Sequence, residues 1–208
     1  MRADNFFTAE EKQRIHDAVV AAEIKTSGEI VPMIVSSSAR YTEVELFGVI
    51  AGLFAGMLVE WLWSDPWGSN YFNLWPAIGA LAGFSICRFP AVKRRLASRK
   101  RIDQAVDRFA LASFTEEGLH HTEDHAGILI LISLLEHQVE ILADRGIDEK
   151  VAPGTWAEIV KMLTAGVKTG RACDAFCQAI ERCGDILATH FPRQAEDQDE
   201  LPNQLVTR

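Results

Sequence analysis

The stretch LFGVIAGLFAGMLVEWLW, Leu46 to Trp63, carries a single charge, Glu60. Wound as a helix it would rise about 27 Å, close to the hydrocarbon thickness of a bilayer. Its Leu, Ile, Val and Phe side chains each favour insertion by roughly 0.3 to 0.6 kcal/mol, about 4 kcal/mol in sum, and Glu60 sits near one end where its penalty shrinks. The stretch is therefore expected to cross a membrane. A second apolar stretch, YFNLWPAIGALAGFSICRFP from Tyr71 to Pro90, is weakened by Asn73, Pro76 and Arg88 and is expected to insert as the partner of the first. Two buried helices in a soluble core are the competing reading, since short apolar segments also serve as core helices.

Between the two lies Ser64 to Asn70, SDPWGSN, with turn formers and no lysine or arginine. Trp61, Trp63, Trp67, Tyr71 and Trp75 crowd the same end, as aromatic side chains do at a headgroup layer. At the opposite end stand Arg88, Lys93, Arg94, Arg95, Arg99, Lys100 and Arg101. Cations beside a span mark its cytoplasmic end, so residues 44–92 are expected to form a two-pass hairpin with both chain termini in the cytoplasm. Gly48, Gly52 and Gly56 recur every fourth residue, and Gly79 and Gly83 repeat the spacing. This spacing permits close helix approach, either within the hairpin or between copies in a homo-oligomer.

Outward from the hairpin, the chain reads as one discontinuous domain, residues 1–43 and 93–191. Thr8-Ala9-Glu10-Glu11 is a capping box opening a helix over 8–26, with Ile15, Ala18, Val19 and Ala22 on one face. Residues 28–35, GEIVPMIV, predict a strand, and Pro32 places it at an edge or a bulge. A helix is expected over 101–114, then a polar loop over 115–125. Ala126 to Leu134, AGILILISL, predicts a central strand, and Glu136 and His137 turn it into an antiparallel strand over 138–144. Helices over 155–165, opened by a second capping box at Thr155 to Glu158, and over 170–190 complete the order α, β, hairpin, α, β, β, α, α. The fold class is α/β (α+β), a small mixed sheet flanked by helices and interrupted by a two-helix transmembrane hairpin. Residues 192–208 are acidic, poor in aromatics, and expected to be a disordered tail.

The formal net charge of -8 argues against nucleic acid as a partner, because phosphate binding needs a basic face. Cys87, Cys173, Cys177 and Cys183 have neither zinc-ribbon nor redox-pair spacing and read as reduced thiols, the last three beside the apolar stripe of their helix.

The segments FFTAEEKQRIHDAVVAAEIKTSGEIV, Phe6 to Val31, and HAGILILISLLEHQVEILADRGIDEKV, His125 to Val151, followed by two helices, resemble the TPM-domain family. That family includes thylakoid-lumen proteins linked to acid phosphatase activity and photosystem repair, and many bacterial membrane proteins. The insertion after the first strand is similar to a bacterial branch with a membrane hairpin, which implies the bacterial inner membrane as the location. The resemblance also implies acidic residues near strand ends that bind a divalent cation. The matching positions are Glu123-Asp124-His125-Ala126-Gly127 and Asp144-Arg145-Gly146-Ile147-Asp148-Glu149, and Val151-Ala152-Pro153 stands where phosphatase-like members place an aspartate.

Strand-end loops gather residues distant in sequence, so Glu29, Asp124, Asp144 and Asp148, with Glu123 beside them, are the candidate ligands of Ca2+ or Mg2+, against the alternative of solvated loop acids. His120, His121 and His125, near Glu116, Glu117 and Glu123, form a weaker candidate for a transition metal. Arg145 is placed either against a phosphate or in an ion pair with Asp148 or Glu149. No phosphate-cradling loop, serine elbow or cysteine-histidine pair is visible, so hydrolysis would have to depend on metal and carboxylates. The sequence therefore points to a membrane-anchored, non-catalytic scaffold or accessory factor for membrane proteins, with a metal-dependent phosphatase as the alternative. The expected partners are the lipid bilayer and other membrane proteins or further copies of the chain.

Overall fold

The computed structural model describes residues 2–63, 74–122, 125–193 and 201–208. The expected turn over Ser64 to Asn70, the aromatic residues Trp67 and Tyr71, and the candidate ligands Glu123 and Asp124 lie outside the described residues. The chain divides into two compact units, residues 1–38 with 104–208, and residues 39–103.

In the first unit, α1 (Ala9–Glu23) begins where the capping box predicts. Thr8 Oγ1 accepts the Glu11 amide at 3.2 Å, and Glu11 Oε2 accepts the Thr8 amide at 2.8 Å. The strand β1 (Glu29–Val35) follows, and the chain returns after the second unit in α5 (Arg99–Glu116), whose residues from 104 onward belong to the first unit. A 3-10 turn at Leu119–His121 leads to β2 (Gly127–Ser133) and β3 (Gln138–Ala143). A short helix, α6 (Arg145–Asp148), then α7 (Thr155–Lys168) and α8 (Ala172–His190) precede β4 (Val206–Thr207).

Among the described residues the sheet is mixed, in the order β3-β2-β1-β4. β1 and β2 run parallel from Glu29 against Gly127 to Val35 against Ser133, and β2 and β3 are antiparallel. A parallel pair cannot be closed by a tight turn, and the long crossover it requires is where the chain accommodates the inserted unit. Alternation along the strands sends Ile30, Ile34, Ile128, Ile130 and Ile132 into one core with Ile15, Val19, Phe176, Ile180 and Leu187. On the other face Val31, Met33, Val35, Leu129 and Leu131 pack with Val106, Ala110, Phe114 and Leu119.

Three expectations for this unit need correction. β1 is not an edge strand: every residue in it is buried, and it lies between β2 and β4 without a bulge. Pro32 is tolerated because of parity. The Glu29 amide donates toward β2, to Ala126 O at 3.1 Å, whereas the Ile30 amide points the other way, to Glu23 Oε1 at 2.9 Å. Pro32 shares the parity of Ile30, so its missing N–H faces the side where β4 pairs only from Met33 onward, and no bond to β2 is lost.

The second correction concerns the tail. Residues 201–208 of the expected disordered tail are ordered, since β4 pairs with Met33 and Ile34 and Arg208 binds Glu116 and Glu117, while the acidic residues 194–200 lie outside the described residues. The main chain of Arg208 also takes the Ser36 amide at 2.8 Å and donates to Ile34 O at 3.1 Å. An open strand edge and a carboxylate pair outweigh the local polarity of the segment. The third is the capping box at Thr155, which does not form. Gly154, at φ 92°, is the N-cap, and the Thr155 hydroxyl donates instead to Ala152 O at 2.9 Å.

The second unit contains α2 (Thr42–Trp63), α3 (Leu74–Cys87), α4 (Pro90–Leu96) and the start of α5. α2 is the described helix long and apolar enough to cross a membrane. α3 is shorter than the stretch predicted from sequence, rising about 21 Å over its length. It reaches the length of a span only together with α4, which is bent away from it by 90°.

Candidate functional site

The register sets Glu29, Gly127 and Asp144 side by side at one end of the sheet. Glu29 pairs with Gly127, and the Asp144 amide donates to Gly127 O at 2.9 Å. The three share the face of Val31, Leu129 and Leu142. Glu29 is buried. Asp144 is the N-cap of α6, its Oδ1 accepting the Arg145 amide at 2.7 Å, and its Oδ2 lies 3.4 Å from His125 Nδ1. Asp144 is largely covered and His125 is exposed, in a left-handed backbone conformation at φ 52°.

The other candidates turn elsewhere. Asp148 accepts the Trp156 indole N–H at 3.0 Å. Arg145 donates to Glu149 at 2.7 Å, and this neighbour raises its already high pKa. The guanidinium is thus in the ion pair foreseen as the structural alternative, at an exposed position where such pairs contribute little. His121 lies against His120, ring centroids 3.7 Å apart, while Glu116 and Glu117 bind Arg208. Among the described residues no group of three His, Cys, Asp or Glu side chains is placed to hold a metal ion. Glu29 and Asp144 share an end of the sheet, and Asp148 and His121 do not join them.

Residues 95–186 match the family model of the TPM domain. The matched span runs from α4 to near the end of α8, leaving α1, β1, the hairpin and β4 outside it. The solution NMR structure of the BA42 protein from the psychrophilic bacterium Bizionia argentinensis is similar over 98% of this chain and 96% of its own, with a TM-score of 0.59 and 22% identity. At that identity the likeness shows the fold, and it extends to the elements outside the family match. No curated protein matches the chain.

Two further buried carboxylates, Glu23 of α1 and Glu136 in the β2–β3 turn, hold the sheet unit together, a role the sequence reading assigned to neither. Glu23, the last residue of α1, turns inward and closes the open edge of β1 ahead of β4 through the Ile30 amide. At the end of the sheet remote from Asp144, Glu136 accepts the Ser133 hydroxyl at 2.5 Å and the Ser38 amide at 3.0 Å, with the Ser37 hydroxyl at 3.4 Å. The Ser38 hydroxyl completes the cluster by donating to Ser133 Oγ at 2.9 Å. This network ties the β2–β3 turn to the chain at the point where it leaves for the hairpin. The Ser36-Ser37-Ser38 run after a strand was the available signal, but its partners are too distant in sequence to be paired by inspection.

In the hairpin unit the glycines face each other. A Cβ on Gly52 would stand 2.0 Å from Gly79 O, and one on Gly83 would stand 2.0 Å from Gly48 O. Gly56 meets Trp75 and Pro76 in the same way. Of the two uses open from sequence, these glycines serve contact between α2 and α3 of one chain. The outward faces are apolar and uncovered: Phe47, Ile50, Phe54, Leu58, Leu62 and Trp63 are exposed, Trp63 at 82%.

Proposed function

We propose that this TPM-domain protein is anchored in a membrane by its hairpin and acts as a non-catalytic scaffold or accessory factor for other membrane proteins. The observation that carries the anchoring is the state of α2. Its most apolar window is only 11% buried, whereas a core helix of a soluble protein would be mostly covered. Contiguous apolar surface of this extent calls for lipid or a partner. The seven cations between Arg88 and Arg101 favour two passes with cytoplasmic termini, and the family resemblance favours the bacterial inner membrane. The scaffold reading is supported by the engagement of Asp148 with Trp156 and of Arg145 with Glu149, which leaves the region around Asp144 short of the carboxylates that metal-assisted hydrolysis needs. Glu29 and Asp144 at one end of the sheet, with Asp124 three positions before β2 in the sequence, keep a Ca2+- or Mg2+-dependent phosphatase as the second reading.

The two readings separate in one assay. The purified full chain is expected not to hydrolyse p-nitrophenyl phosphate with or without Ca2+ or Mg2+, and not to gain melting temperature from either ion. Metal-dependent turnover abolished by Asp144→Ala or Asp124→Ala would establish the phosphatase. Resistance of the membrane-bound protein to alkaline carbonate tests the anchor itself.

A further inference from the structure

The cations of the hairpin unit are unequally committed. From Pro66 to Ile102 the chain has no acidic residue. Lys93 is neutralised by Glu45 at 2.6 Å and Arg101 by Glu43 at 3.0 Å. Arg88 lies over the Phe84 ring, 5.6 Å from its centroid. Arg94, Arg95, Arg99 and Lys100 are exposed and make no ion pair among the described residues.

These four fall between positions 94 and 100, on α4 and the first turn of α5. α4 turns by 90° from α3, so when α3 runs along a bilayer normal α4 lies in the plane of the surface. Val92 and Leu96, spaced i and i+4, share one side of α4, and Leu96 and the N-cap residue Phe89 are exposed, as in helices that lie in a membrane interface. α5 then begins with Arg99, Lys100 and Arg101 and has no acid in its first turn. A helix N-terminus is itself a positive dipole end, so these cations repel it and each other, a tension that an anion relieves. Beside them a cavity of about 670 Å3 is walled by Val44, Phe47, Leu96 and Ala97 and reaches Ser98 and the Glu43–Arg101 ion pair. Positive charge, apolar wall and in-plane helix thus occur together within one unit.

We propose that α4 and the first turn of α5 form a docking surface for anionic phospholipid, with Arg94, Arg95, Arg99 and Lys100 on the phosphate headgroups and the Val44–Phe47–Leu96 cavity against the acyl chains. This rests on the membrane-anchored reading and adds the class of lipid. Polybasic segments next to a span gain affinity for anionic headgroups with each cation, and salt screens the gain.

The test uses the full chain in mixed micelles containing equal amounts of phosphatidylglycerol and phosphatidylcholine, with bound lipid counted by native mass spectrometry. The wild type should retain phosphatidylglycerol over phosphatidylcholine by about fivefold or more, and the excess should shrink as salt rises. The combined variant Arg94→Gln, Arg95→Gln, Arg99→Gln, Lys100→Gln should lose the preference while keeping its circular dichroism, because these side chains are exposed. Equal retention of the two lipids by the wild type, or an undiminished preference in the variant, overturns the proposal. Displacement of the lipid by millimolar inorganic phosphate also overturns it, since the surface would then be a site for free anions. Failure of the anchor is separately visible: protein released from vesicles by carbonate contradicts membrane anchoring, and the micelle measurement still decides the lipid surface.

Discussion

Phe176 in α8 and Phe54 in α2 are the same residue in helices of similar length, with opposite fates. Phe176 is fully buried, in contact with Phe7 at 6.1 Å between ring centroids, and Phe54 is 65% exposed. α8 presents one apolar stripe to the sheet and a polar side to water. From Leu46 to Val59 α2 is apolar all round and offers its partner helix a glycine seam. Water drives the first kind of packing by expelling apolar surface. On the proposed membrane-anchored reading the second kind needs shape alone, because lipid surrounds apolar side chains at no cost and leaves close backbone contact to hold the pair. An apolar helix therefore reports burial only when the solvent is known.

The sharpest way to break this contrast is to truncate both rings. In detergent-solubilised protein, Phe176→Ala should lower the unfolding free energy of the sheet domain by about 3 to 5 kcal/mol. Phe54→Ala should change it by less than about 0.5 kcal/mol. Equal losses in urea titrations would mean that α2 is part of an aqueous core. A smaller effect is expected at Glu23, which supplies a side-chain acceptor to a buried strand amide. Glu23→Ala should cost about 1 to 3 kcal/mol by leaving the Ile30 N–H without a partner, and Glu23→Gln, which keeps an amide oxygen, should cost less.

Arg208→Ala should cost at most about 1 kcal/mol, because its ion pairs with Glu116 and Glu117 are partly exposed. Removing residues 201–208 should in addition speed hydrogen exchange at the Ser36 amide, which loses its acceptor. The hairpin should be indifferent to both changes. A further effect belongs to alkaline pH. Burial pushes the Cys183 thiol up to about 12 from an ordinary 9. The unfolded chain releases that proton first, so the stabilisation is complete below pH 9 and is lost as pH rises toward 12. The Cys183→Ala variant should show a flatter loss of stability than the wild type in urea midpoints measured across that interval.

Much of the fold was legible because it is local. The capping box at Thr8, the β-branched run of β1, the apolar run of β2 and the stripe of α8 each state their structure within one element. The candidate site was legible only in part. The sequence brought Glu29 and Asp144 to one end of the sheet, but it gave no warning that Asp148 would bind Trp156, because that bond depends on how α6 packs before α7. The capping motif at Thr155 failed for a similar local reason, Gly154 taking the cap position instead.

By itself the sequence determined which segments are apolar, how long they run and where the charge lies, since these follow from composition and the periods of helix and strand. Tertiary structure alone decided that Pro32 falls on the side of β1 where no bond is lost, that Val206 and Thr207 return to the sheet as β4, and that Glu136 binds serines 98 and 99 positions away. The physical reason is that a buried polar group must find a partner wherever the fold places one, and sequence distance does not enter that requirement.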